Sequence, residues 1–256
     1  MNILLRLSLN PLLRLPLQSS PRSFRPVLGV GIVAFLVGCA AAPQRNLEES
    51  ASVAWPTFAA PQAGEDVYRI DPEASQLRIR VDPEGPMARL GHSHVIGGSV
   101  FGGIVALGEG HQSARLDLRV DVSALQVDKP QWRADAGLET ELDDAAISGT
   151  RNNMLGARVL DAQRYPEISI RSTGIEGPAW LPDVTVRIRL RGQVREIVVP
   201  VAVERTGTRL TASGAMDLLQ SDFGIEPFSA AGGTLRVSDR MRIRFRIIAE
   251  KIPANP

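Results

Sequence analysis

Apolar and polar residues alternate with a period of two along most of the chain from Val67 onward. Leu77, Ile79 and Val81 alternate with Arg78, Arg80 and Asp82, and Leu116, Leu118, Val120 and Val122 with Arg115, Asp117, Arg119 and Asp121. The same holds for Val184, Val186, Ile188 and Leu190 against Thr185, Arg187, Arg189 and Arg191. It holds again for Met241, Ile243, Phe245 and Ile247 against Arg240, Arg242, Arg244 and Arg246. Successive side chains of a strand point to opposite faces, so each run predicts a strand with one buried row and one wet row, the signature of antiparallel sheets. Further strands are predicted over 67–70, 99–107, 167–173, 196–204 and 208–219. About eight such strands must bury their apolar face, either in a sandwich or in a closed barrel that has no free edges. The pattern alone allows both. One segment departs from period two: around 143–156, Ile147, Met154 and Leu155 fall near helical spacing behind a capping Asp143 or Asp144, which predicts one short helix. With no repeat and no interdomain linker after residue 66, residues 67–250 read as one all-β domain.

The first 66 residues follow different rules. Residues 1–26 carry Arg6, Arg14, Arg22 and Arg25 and no acidic residue, and an apolar run follows from Val27 to Gly38. The run is shorter than the roughly 20 residues a membrane-spanning helix needs. A basic segment before a short apolar one is the pattern of a secretory signal peptide, here 1–38. Leu36-Val37-Gly38-Cys39 resembles the lipobox of bacterial lipoproteins, which implies that Cys39 is lipidated and becomes the new N-terminus. Ala40, where aspartate would signal inner-membrane retention, points to the outer membrane, facing the periplasm. Residues 39–66, rich in Ala, Pro, Gln and Ser, read as a flexible tether from which Trp55 and Phe58 hang free.

Composition narrows the function. The chain has 256 residues and a formal net charge of +1, without the basic excess of a dedicated nucleic-acid binder. The single cysteine excludes an intramolecular disulfide and a cysteine-based zinc site. Lys129 and Lys251 are the only lysines; every other basic side chain is arginine. That bias reflects either codon usage or a use for the guanidinium fork on phosphate and carboxylate. Like charges opposite one another destabilise paired strands. The rows Arg187, Arg189, Arg191 and Arg240, Arg242, Arg244, Arg246 are therefore expected to stand apart or to face acidic residues.

Several segments, in order, resemble the YceI family of periplasmic, lipocalin-like proteins. They are Tyr68-Arg69-Ile70-Asp71-Pro72-Glu73-Ala74-Ser75; Asn152 to Leu160 followed by Tyr165-Pro166-Glu167-Ile168 and Ser172-Thr173; Leu190-Arg191-Gly192 with Val194 to Val203; and Ser221-Asp222-Phe223-Gly224-Ile225. The resemblance implies an extended eight-stranded antiparallel lipocalin-like barrel around a tunnel for a polyisoprenoid chain or an isoprenoid quinone. An eight-stranded barrel has room for one slender ligand. Leu90-Gly91-His92-Ser93-His94-Val95 departs from the commonest family pattern and resembles a subgroup with an early Gly-His-x-His.

The expected function is that of an envelope lipoprotein that binds or carries an isoprenoid lipid or quinone, with no required cofactor and with the membrane as partner through its anchor. Ile188, Leu190, Phe223, Ile243 and Phe245 are the candidate tunnel wall. His92 and His94, two apart on one strand face, are candidates for the ligand's polar head at the tunnel mouth. The same pair could ligate a metal, but two ligands are too few for a stable zinc site; His111 or Asp222 would have to complete it. Asp222 also reads as a turn acceptor, and His92 and His94 as turn histidines bonded to backbone. No Gly-x-Ser-x-Gly, phosphate loop, His-Glu-x-x-His or triad is present, so an enzyme is not the favoured reading. The alternatives are a metal-dependent enzyme using His92 and His94, or a structural or interaction module with a barrel filled by its own side chains.

Overall fold

The computed structural model describes residues 55–62 and 64–253. The predicted signal peptide, Leu36 to Cys39 and the first part of the predicted tether lie outside the described residues. In chain order the elements are β1 (Asp66–Ile70), β2 (Gln76–Val81), β3 (Pro83–Glu84), β4 (His94–Gly98), β5 (Phe101–Leu107), β6 (Arg115–Asp121), β7 (Gln126–Val127), α1 (Pro130–Asp135), α2 (Asp144–Leu155), β8 (Glu167–Glu176), β9 (Asp183–Leu190), β10 (Gln193–Thr206), β11 (Arg209–Leu219), β12 (Ser229–Ala230), β13 (Leu235–Val237) and β14 (Arg240–Lys251).

Eight strands pair in the order β1, β5, β6, β8, β9, β10, β11, β14, and β14 pairs back with β1. Every pairing is antiparallel, and the ring is closed. β2 and β4 extend β1 and β5 along the same wall: β14 pairs with β2 through Arg242 to Arg246 and with β1 through Ala249 to Lys251. A bend at Asp71–Ser75 separates β1 from β2. There the Asp71 side chain accepts from the amides of Glu73 and Ala74, a local turn that competes with the ladder. At the bend the Asp71 amide still donates to the Ile248 carbonyl at 2.8 Å, which leaves the Ile248 amide to be satisfied. Ser75, 4% exposed, fills the gap: its hydroxyl accepts from the Ile248 amide at 3.0 Å. Gly97 serves the neighbouring contact, since a side chain there would lie 2.2 Å from the Leu77 carbonyl oxygen.

The predicted alternation sets the barrel's inside and outside. Val184, Val186, Ile188 and Leu190 are all buried on β9, as are Ile243 and Ile247 on β14. The helix predicted over 143–156 is α2, and Asp143 caps it by accepting from the Ala146 amide at 2.7 Å. It covers a break in the wall. β6 pairs with β8 up to Asp121, the Val122 amide still reaches the Pro166 carbonyl at 3.0 Å, and beyond it Arg151 of α2 donates to the carbonyls of Ser123 and Leu125. A second helix, α1, was not predicted. It begins with Pro130 in its first turn and holds one large apolar residue, Trp132, so it shows no periodicity to read.

One further expectation changes. Trp55 and Phe58 do not hang free: the Trp55 ring lies 4.1 Å from the Arg189 guanidinium and 5.2 Å from that of Arg171, and Phe58 lies 5.8 Å from Arg115. Outward-facing arginines hold the end of the predicted tether by cation–π contact. The two arginine rows do stand apart, because β10 and β11 separate β9 from β14. The β14 row nevertheless faces like charges on β2, with Arg242 opposite Arg80 and Arg244 opposite Arg78. Asp82 sits between the first pair, 2.8 Å from Arg80 and 3.4 Å from Arg242, and Arg78 stacks on Trp132 at 4.3 Å.

Candidate functional site

The inward rows enclose a cavity of about 930 Å³ running the length of the barrel. That volume falls in the range of small-molecule sites, which are typically about 300–1,000 Å³ and mostly apolar. The wall is aliphatic and aromatic along β2, β6, β8, β9, β11 and β14. Ile188, Leu190, Ile243 and Phe245 all lie on it. Phe223 does not. It is 1% exposed, packed in a turn at Ser221–Phe223 that ends in the left-handed Gly224. The Ser-Asp-Phe-Gly-Ile segment thus builds part of the barrel's packed end, with Phe223 and Ile225 as its buried anchors. Phe228, from the same region, does line the cavity. The turn's acceptor is Asp239, which takes the Ser221 amide and hydroxyl at 2.8 and 2.6 Å; Asp222 is exposed.

The two rims differ. One is formed by the loops after β5 and β8 and carries Trp180, which is 68% exposed yet lines the cavity, so the cavity communicates with solvent there. His111 belongs to this rim, its Nε2 donating to the Gly177 carbonyl at 2.8 Å and tying the two loops together. The opposite end lies beside α2 and carries His94, Thr150, Asn153 and Gln220. The pairing of Val81 with His94, and of Leu218 with Met241, fixes this end.

His92 and His94 therefore part company. His94 is the first residue of β4 and shares the inward face with Ile96, on the cavity wall. His92 precedes the strand, so period two does not apply to it, and it is exposed and off the wall. With His111 at the far rim and Asp222 exposed, the three proposed partners do not gather around His94. Among the described residues no three His, Cys, Asp or Glu side chains are grouped as metal ligands.

His94 has a different partner, Asp128. Its Nδ1 lies 2.5 Å from Oδ2 of Asp128, whose side chain is wholly buried. Oδ1 of the same carboxylate accepts from the Val95 amide and from Nη1 of Arg133, each at 2.9 Å. Arg133, on α1, also donates to the carbonyls of Ser93 and Thr140. Burial pushes the Asp128 carboxyl up, but the bonds from His94, the Val95 amide and Arg133 outweigh it and hold the group below the ordinary carboxylate range. A carboxylate can only accept, so Nδ1 carries a hydrogen, and the imidazole is fixed in both tautomer and orientation. Sequence reasoning missed Asp128, Arg133 and Gln220. Asp128 stands 34 residues from His94 in a left-handed conformation, where Asp is one of the few tolerated residues. The Asp-Lys-Pro step before α1 was its only trace.

The YceI-like domain model matches residues 68–249. Among solved structures, Burkholderia cenocepacia BcnA aligns at a TM-score of 0.51 and 16% identity, covering 70% of this chain and 98% of its own. A polyisoprenoid-binding domain from Saccharophagus degradans, implicated in plant cell wall breakdown, aligns at 0.50 and 14% identity, covering 72% and 98%. At these identities the two structures speak to the fold alone. A search of curated proteins finds no match. With a closed barrel of this topology and a domain match over most of its length, the chain belongs to the YceI-like family.

Proposed function

We propose that this protein binds a long isoprenoid lipid or an isoprenoid quinone inside its barrel, as a lipoprotein of the bacterial envelope anchored through Cys39, outer-membrane bound and facing the periplasm. The observation that carries the reading is the cavity: about 930 Å³, continuous between the rims and apolar along its wall. A barrel filled by its own side chains would have no such space. Family membership and the polyisoprenoid-binding description of the Saccharophagus degradans domain support the same ligand class. Burial of a tail contributes roughly 25 cal/mol per Å² of apolar surface and does not depend on the head group. The long wall therefore supplies affinity, and the few polar groups at its ends supply selection.

The test is chemical. Protein purified from its native host, extracted with organic solvent and analysed by mass spectrometry, should release an isoprenoid lipid in near-stoichiometric amount. Extracts holding only ordinary phospholipid, or nothing above a buffer control, would refute the reading.

A further inference from the structure

Arg158 and Arg191 differ from the arginines of the barrel wall. Arg115, Arg171 and Arg240 each pair with a carboxylate; among the described residues neither Arg158 nor Arg191 does. Both line a second pocket of about 330 Å³ beside the α2 end of the barrel, a size within the range of small-ligand sites. Arg191, half-buried at the turn between β9 and β10, is fixed in place: its two Nη atoms donate to the carbonyls of Gly224 and Ala157, which belong to different loops. Those acceptors are neutral, so the positive charge stays uncompensated. The Arg158 guanidinium has no hydrogen-bond acceptor among the described residues and lies 5.6 Å from the centre of the Phe228 ring. The other polar side chains of the pocket are Glu226 and Ser229. Two guanidiniums against one carboxylate leave a net positive charge, and the Ser229 hydroxyl can donate or accept. The pocket is also not isolated: Val159 and Phe228 line both it and the main cavity, so the two spaces share a wall.

We infer that this second pocket holds the anionic head of a lipid whose tail lies in the barrel, namely a phosphate monoester carried on an isoprenoid chain. This deepens the proposed function and rests on it. A phosphate monoester carries a charge of about −1.5 to −2 at neutral pH and three strong acceptor oxygens. The guanidinium fork meets two such oxygens at once. Arg158 supplies the uncommitted fork, Arg191 a charge whose position is set by the backbone, and Val159 with Phe228 the neck at which head and tail join. A quinone oxygen can accept from Arg158 but leaves both positive charges unanswered. Glu226 opposes any anion here, so removing its charge should strengthen binding. The rival anchoring point is the other mouth, where Arg205 lines the main cavity, but Arg205 already faces Asp66 at 4.0 Å. The Ser-Asp-Phe-Gly-Ile segment gains a second role on this reading, because the carbonyl of Gly224 is one of the two that aim Arg191.

Farnesyl phosphate and farnesol share a tail and differ only in the head, and both can be titrated against delipidated protein at neutral pH. The unaltered protein should bind the phosphate at least about tenfold more tightly, the equivalent of one hydrogen bond to a charged group. Arg158→Gln, at an exposed position, should remove about that factor from the phosphate and leave farnesol as before. Glu226→Gln should tighten the phosphate severalfold, a gain that a misfolded variant cannot mimic. Arg205→Gln should leave the ratio of the two affinities unchanged. Equal binding of the two ligands, a phosphate affinity untouched by Arg158→Gln, or a selective loss that follows Arg205→Gln instead would overturn the inference and leave the lipid-binding reading standing. Inorganic phosphate binding alone as tightly as farnesyl phosphate would mark a site for the free anion and overturn it as well. Failure of the unaltered protein to bind either farnesyl compound would overturn both readings.

Discussion

Three donors converge on the carboxylate of Asp128, and one of them, Arg133, is itself buried. Asp128→Asn removes the charge and leaves the guanidinium without its counter-ion in a low dielectric, a situation that typically costs about 3–5 kcal/mol. The carboxyl's folded-state pKa lies below its unfolded value of about 3.9. The stability it contributes is therefore complete above that pH and is lost as the pH falls through the lowered folded value. Urea unfolding should show the wild type and Asp128→Asn furthest apart near neutral pH and converging in strong acid. Indistinguishable curves near neutral pH would mean that the network carries no net stability. At this scale the sequence was half legible. His94 stood out with His92 as a pair two residues apart, and it does lie on the cavity wall. Asp128 and Gln220 were silent, because the bonds that give them meaning join residues far apart in the chain. His92 misled because the strand begins two residues later than the pair's spacing assumed.

Strands were the most legible elements, since a barrel wall imposes a period of two on every residue that crosses it. The consequence can be tested on adjacent residues of β9. Ile188, 2% exposed, faces the cavity, and Arg189 faces outward against Trp55. Ile188→Asp places an unpaired carboxylate against hydrocarbon, at a cost of several kcal/mol, and should abolish folding or lipid occupancy. Arg189→Glu removes a cation–π contact worth roughly 0.5–1 kcal/mol and should leave both intact, read by thermal melting and lipid extraction. Comparable damage from both would break the inside–outside assignment of β9. The elements the pattern missed are those for which period two has too few residues to register: β3, β7, β12 and β13 have two or three residues each, and α1 has six. β4 entered the sequence reading only as the strand face assumed for His92 and His94, without bounds of its own. Gly97 is required by close contact with Leu77 on β2 and Gly98 by its positive φ, and glycine lowers the apparent strand signal.

For the whole molecule, alternation specified an all-β domain but left sandwich and barrel equally open, because both bury one face. What decides between them is the pairing of β14 with β1, a contact between opposite ends of the domain that no local pattern encodes. The envelope location rests on residues outside the barrel and has its own test. Cys39→Ala should leave the precursor uncleaved or release the mature protein from the membrane fraction, since stable attachment of a lipoprotein needs more than one acyl chain. An alanine variant that matures and sediments with membranes like the wild type would remove the anchor from the proposal while leaving the barrel's ligand untouched.

The pairing of β14 also governs when the barrel can exist during biosynthesis. The strand that seals the ring against β1, β2 and β11 is the last in the domain, so a chain emerging N-terminus first cannot close the ring until Arg240–Lys251 have followed. Closing so long a loop is slow, as expected for a fold dominated by distant contacts. During that interval the apolar lining is a trough and not a tunnel. A lipid lying in the trough is enclosed when the final strand zips into place. The first ligand can thus be acquired without passing through either rim, which makes the exit of a lipid, and not its uptake, the step that demands a gate.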